Sequence, residues 1–239
     1  MKRMPIASRP FPREPAGLCA INEPLVELTS VVHGRLEVTM QYYEQGIPGA
    51  VSAAYLRQSA AVRLQNALDL LPEGYGILVY DAWRPIAVQQ ALFDEYTARV
   101  KSETAGLHLS DEQLLERVRQ FVSVPSCDIR KPSVHNTGGA VDLTLTGPDG
   151  RELDMGTAFD DFTPAAYTAA FEPEGDRAVR DNRRLLYTVM TTAGFTNLPT
   201  EWWHYDYGTA FWSYYTGQPA LYTGILKRGD QHGEQEQTE

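Results

Sequence analysis

Residues 131–145 read KPSVHNTGGAVDLTL, and that composition leaves the backbone few paths. A helix would put His135 and Asp142, seven apart, on one face. Pro132 lacks a backbone donor, however, and Gly138 and Gly139 weaken any helix. What remains is a loop carrying His135, a glycine turn that folds the chain back, and a strand carrying Asp142. The strand is written in the strict alternation of AVDLTLT. Val141, Leu143 and Leu145 face one way and Asp142, Thr144 and Thr146 the other, the pattern of a half-buried strand. The PDG at 148–150 closes it with a turn.

The rest of the chain supplies what can pack on that strand. Between 52 and 71, Val62, Leu64, Ala67, Leu68 and Leu71 keep near-helical spacing, and Pro72 and Gly74 end the helix. GILVY at 76–80 is a short apolar run that reads as a buried strand. Pro85 suits the first turn of a second helix. Ser110 and Gln113 have the form of a capping box that opens a third. A last helix runs from about Asp176 to Ala193 and stops at Gly194. The aromatic run EWWHYDYG at 201–208 reads as another strand. Helices and strands come in blocks, which favours an α+β fold with an antiparallel sheet flanked by helices. Proline-rich residues 1–24 read as an irregular arm, 25–226 as one domain, and 227–239 as a solvated tail.

Charge narrows the partners. The formal net charge is −10, which argues against a nucleic-acid or an anionic membrane partner. No stretch approaches the roughly 18 apolar residues of a membrane span, and the first residues lack the apolar run of a secretory signal. Two cysteines, Cys19 and Cys127, do not make a secreted disulfide framework. The expectation is a cytoplasmic protein acting on a small molecule, with its oligomeric state open.

Of the five histidines, His33, His108 and His232 have no suitable company. His135, Asp142 and His204 can meet if the two strands are neighbours. Two imidazoles and a carboxylate are a familiar zinc set, with a fourth position left for water. Glu201, three residues before His204, can serve as the general base. On a straight strand the two would point to opposite faces, so Pro199 and Thr200 suggest that Glu201 is still in the incoming loop. His-x6-Asp alone is a weak signal, and so is Glu-x2-His.

Together they are specific. Ser133-x-His135-x-x-Gly138-x-Ala140-x-Asp142, followed by Glu201-x-Trp203-His204, resembles the motif pair of the zinc D-Ala-D-Ala peptidases. DAWRP with Arg84, MGTAFD with Asp160, and the full EWWHY make the chain most similar to the D-alanyl-D-alanine dipeptidases of the VanX type. The resemblance runs from about residue 50 to 208. It implies one Zn2+ per chain on His135, Asp142 and His204, and Glu201 as base and then acid. It further implies Arg84 at the oxyanion, Asp160 at the substrate ammonium, and Ser133 orienting its loop or touching substrate backbone. The implied reaction is hydrolysis of D-Ala-D-Ala or a similar small dipeptide. The family often has an Asn-Phe-Thr-Gly-like segment where this chain has MQYYEQGIPGA at 40–50, so the exact dipeptide stays open. A D,D-carboxypeptidase or cell-wall endopeptidase acting on peptidoglycan stem peptides would share the machinery but work outside the membrane. An iron oxygenase with two histidines and a carboxylate would give Glu201 no task. A zinc module without catalysis would not need Glu201 and Arg84 together.

Overall fold

The computed structural model describes residues 3–119, 121–173 and 175–226. The tail expected at 227–239 lies outside the described residues. An irregular arm over residues 3–24 lies along later elements. The Met4 N–H donates to Thr188 Oγ1, and the Cys19 and Ile21 N–H groups donate to the carbonyls of Ala220 and Leu221. The order is then β1 (Leu25–Glu27), α1 (Leu28–Val31), β2 (Leu36–Val38), α2 (Gln41–Glu44), β3 (Tyr55–Arg57) and α3 (Gln58–Asp69). It continues with β4 (Gly76–Asp81), α4 (Ile86–Glu103), α5 (Asp111–Arg119) and β5 (Ala140–Thr146). α6 (Arg177–Thr192), β6 (Thr196–Asn197), β7 (His204–Asp206) and α7 (Ala210–Thr216) complete it.

The fold is α+β, as the block pattern implies. β1 and β3 form a small antiparallel sheet, and the main sheet has the order β2-β4-β5-β7-β6. That sheet is antiparallel from β4 through β5 and β7 to β6, while β2 joins its edge parallel to β4. Val141, Leu143 and Leu145 of β5 share one core with Leu64 and Leu68 of α3 and Leu186 and Val189 of α6. Burying each such side chain contributes about 1.5–3 kcal/mol. α4 and α5 close a smaller cluster of Val100, Val118 and Val122, to which Phe162 packs. Among the described residues, no helix is long and apolar enough to cross a membrane.

Helix ends follow their sequence signals. The Ser110 N–H donates to Gln113 Oε1 (2.9 Å) and the Gln113 N–H to Ser110 Oγ (3.2 Å), a reciprocal capping box. Asp176 accepts from the N–H groups of Ala178 and Val179 at the start of α6. Three expectations need correction. The helix expected over 52–71 starts at Gln58, because Tyr55–Arg57 are drawn into pairing with β1, and Val62 lies on its solvent side. β5 is not half-buried: all seven of its residues are buried. The chain beyond the PDG turn returns across the sheet, where Glu152 bridges to Thr146 and Phe159 packs 4.9 Å from the Tyr80 ring and 5.5 Å from Trp203. Finally, the strand in EWWHYDYG begins only at His204. Trp202 and Trp203 form a turn after Glu201, closed by the His204 N–H to the Glu201 carbonyl.

Candidate active site

Three strands place one row of polar side chains. In the register, Asp81 of β4 stands opposite Asp142 of β5, which stands opposite His204 of β7. A register shift between Val79 and Asp81 re-aims the end of β4 at this row, a common use of a bulge. His135 arrives from the other side on a short 3-10 turn, His135–Thr137. Gly138 then takes a φ of 74°, where a side chain is strained, and so folds the loop into β5. The turn is pinned from outside. The Asn136 amide donates to the carbonyls of Arg84 (3.1 Å) and Ile225 (2.9 Å), and Arg57 Nε donates to the Thr137 carbonyl (2.8 Å).

One ligand atom from each of His135, Asp142 and His204 lies within 4.8 Å of the other two. Their partners show what such a cluster can hold. His135 Nδ1–H donates to the Ala82 carbonyl (2.8 Å), which leaves Nε2 with a lone pair. His204 Nε2–H donates to Asp206 Oδ2 (3.0 Å), which leaves Nδ1 with a lone pair. Those two nitrogens face each other at 3.1 Å, and His204 Nδ1 is 2.9 Å from Asp142 Oδ1. Electron-rich atoms this close repel unless a proton or a metal ion lies among them. Both imidazoles also carry the acceptor on the far nitrogen that metal-binding histidines need. The field agrees. Burial alone would lower the His204 imidazole, yet Asp206 and Asp142 hold it well above its ordinary value. Burial alone would raise Asp142, yet His135 and His204 hold it well below the usual carboxylate range. A metal ion entering here displaces a proton.

The remaining predicted residues line the same cleft, a cavity of about 280 Å³. Glu201 lies 3.9 Å from His204 Nδ1, and burial pushes its carboxyl up to about 8 against the pull of His204. The turn at 202–203 removes the opposite-face problem of a straight strand. Arg84 is buried; its Nε donates to Asp81 (2.9 Å), Nη1 donates to Gln89 (2.9 Å), and Nη2 lies 3.6 Å from Asp142. Burial alone would lower the guanidinium, but Asp81, Tyr42, Asp142 and Asp160 together outweigh it and keep Arg84 charged. Asp160 has a positive φ of 58° and accepts from the Tyr42 hydroxyl (3.0 Å); burial, with Asp142 adding to it, pushes its carboxyl up to about 7. Ser133 is buried just before His135.

Residues 49–219 match the peptidase M15 family of D-Ala-D-Ala dipeptidases. The chain belongs to this family. It is 34% identical to a D-alanyl-D-alanine dipeptidase of Synechocystis over 74% of this chain and 76% of that protein. A D-alanyl-D-alanine dipeptidase of Escherichia coli is 28% identical over 76% of this chain and 83% of its own length. A vancomycin-resistance D,D-pentapeptidase, VanY, solved with Zn(II), is a distant likeness. Its TM-score is 0.42 at 19% identity, over 72% of this chain and 84% of that one.

Several residues that this geometry brings to the site escape a reading for motifs. Asp206 backs His204, and a carboxylate two residues along a strand shares its face, which is the one available signal. Asp81 stands inside DAWRP, 3.3 Å from His135 Nδ1 and bonded to Arg84. Tyr42 comes from the divergent 40–50 segment, and its ring lies 4.8 Å beneath the Arg84 guanidinium.

Proposed function

We propose that this protein is a zinc dipeptidase that hydrolyses D-Ala-D-Ala or a similarly small dipeptide. The observation that carries the reading is the pair of opposed imidazole lone pairs beside Asp142, with the buried Glu201 carboxyl next to them. Family membership and relatives named D-alanyl-D-alanine dipeptidase support the same substrate. His135, Asp142 and His204 hold the metal. Bound zinc supplies Lewis acidity, lowering the pKa of water and polarising a carbonyl.

Glu201 takes the proton from the attacking water and returns it to the leaving amine. A carboxyl raised toward neutrality suits a group that must do both. Arg84, braced by Asp81 and Gln89, offers fixed charged donors to the oxyanion. Asp160 pairs with the substrate ammonium, with the Tyr42 hydroxyl setting its position. Ser133 orients the His135 loop or meets the substrate backbone. A carboxylate at the amine also sets the substrate's length. A blocked or extended N-terminus would leave Asp160 unpaired, at a cost of about 3–5 kcal/mol. That cost disfavours the stem peptides of a carboxypeptidase. Residues 25–226 act as one peptidase domain with the arm lying along it. A cytoplasmic setting is supported by Cys19 and Cys127, both free and exposed.

Comparing D-Ala-D-Ala with N-acetyl-D-Ala-D-Ala tests this reading. The free dipeptide should be the better substrate by a factor of about 100 to several thousand in kcat/KM, and Asp160→Asn should erase the preference. Because Asp160 is protonated below about 7, the preference should also fade as pH falls through that value. Equal rates on both substrates, unchanged in the variant, would point to a carboxypeptidase.

A further inference from the structure

The N-terminal arm lies outside the residues matched by the family, yet it reaches the catalytic cleft. Phe11 lines that cleft, and it also lines a second groove formed by arm residues with Pro164, Tyr167, Tyr187 and Pro199. It is the one described residue common to both linings, so the two meet at Phe11, which stays 41% exposed. Its place is fixed. Pro10 and Pro12 flank it, each with φ locked by its ring. Arg9 donates to the Asn197 carbonyl (2.7 Å) and stacks 4.3 Å over Tyr215, whose hydroxyl donates to the Pro10 carbonyl (2.8 Å).

A series of contacts gives this junction its orientation. Asp160 bonds Tyr42, Tyr42 stacks under Arg84, Arg84 approaches Asp142, and Asp142 bonds His204. Beyond His204 the series runs to Phe211 (6.4 Å between rings) and from Phe211 edge-on to Phe11 (5.8 Å). With the amine at Asp160, as in the function proposed above, the residue that approaches Phe11 is the C-terminal one.

We propose that Phe11 is a specificity-determining residue: the arm walls off the cleft on the side of the C-terminal residue and keeps that residue small. Without the ring, the cleft opens into the neighbouring groove and admits a bulkier C-terminal side chain. The test compares D-Ala-D-Ala, D-Ala-D-Phe and D-Phe-D-Ala in the full zinc-loaded chain. In Phe11→Ala, the preference in kcat/KM for D-Ala-D-Ala over D-Ala-D-Phe should fall by about tenfold or more. The preference over D-Phe-D-Ala should hold, and Phe11→Trp should not relax either ratio. A merely structural role would lower all three substrates together, which would overturn the proposal, as would equal relaxation toward D-Phe-D-Ala. Calorimetric binding of D-Ala-D-Ala and D-Ala-D-Phe in a Glu201→Gln background, with and without Phe11→Ala, reads the same ratio without turnover. A parent that binds but does not cleave these dipeptides would sink the proposed reaction, while a shifted binding ratio would still uphold the partition. An unshifted ratio, or no binding at all, would overturn it.

Discussion

At the scale of single residues, the site is defined as much by the groups behind the histidines as by the histidines themselves. Asp206 holds His204 Nε2 and is itself held by the Thr209 hydroxyl at 2.7 Å. The ring therefore presents Nδ1, and only Nδ1, to the cluster. Asp206→Asn keeps the shape and removes the charge. It should weaken zinc binding by about 10–100-fold, read by competition with a chelating dye, and an unchanged affinity would contradict the assigned orientation. Residue types and spacing exposed His135, Asp142, His204 and Glu201 because each had a companion in the chain. Tyr42 had none, because its partners Arg84 and Asp160 are distant in sequence, and Asp81, though three residues before Arg84, meets the distant His135 only on folding.

At the scale of elements, what could be read was periodicity and punctuation. The alternation of β5, the capping box at Ser110 and the start of α6 near Asp176 were plain in the sequence. The three-residue strands β1, β2 and β3 were not, because so short a run has no period to detect. Burial of the Thr144 face of β5 was also hidden, since it depends on a returning segment rather than on the strand. The glycine pair could be read as a turn, but not for its second purpose. A Cβ on Gly139 would run into the Tyr207 carbonyl oxygen, where β7 leaves the sheet, and would press on Thr209. Gly139→Ala should therefore destabilise the fold by about 1–3 kcal/mol, seen as a lower urea midpoint. A midpoint equal to that of the parent would mean that the two strands are not packed as closely as described.

At the scale of the whole molecule, the sheet and the turn before β7 gather carboxyl groups at one point. Asp81, Asp142, Glu201 and Asp206 are all buried around the histidines, with Arg84 the buried cation among them. Without a metal, protons on Glu201 and His204 balance such a cluster, and a metal can replace them, so zinc should be a ligand of the folded state that the unfolded chain lacks. Zinc in thousandfold excess over its dissociation constant contributes about 4 kcal/mol. Stripping it with a chelator should lower the melting temperature by several degrees, restored on adding zinc back. A melting curve indifferent to the chelator would argue against a metal at this point.

The central claim is that His135, Asp142 and His204 hold zinc for a hydrolysis in which Glu201 moves the proton. The most direct measurement is D-alanine release from D-Ala-D-Ala by zinc-loaded protein, with Glu201→Ala beside it and zinc content measured in both. The account predicts release by the parent, a loss of at least about 100-fold in the variant, and equal zinc in the two. Release that survives in Glu201→Ala, or a variant that loses activity only because it has lost its zinc, would contradict it.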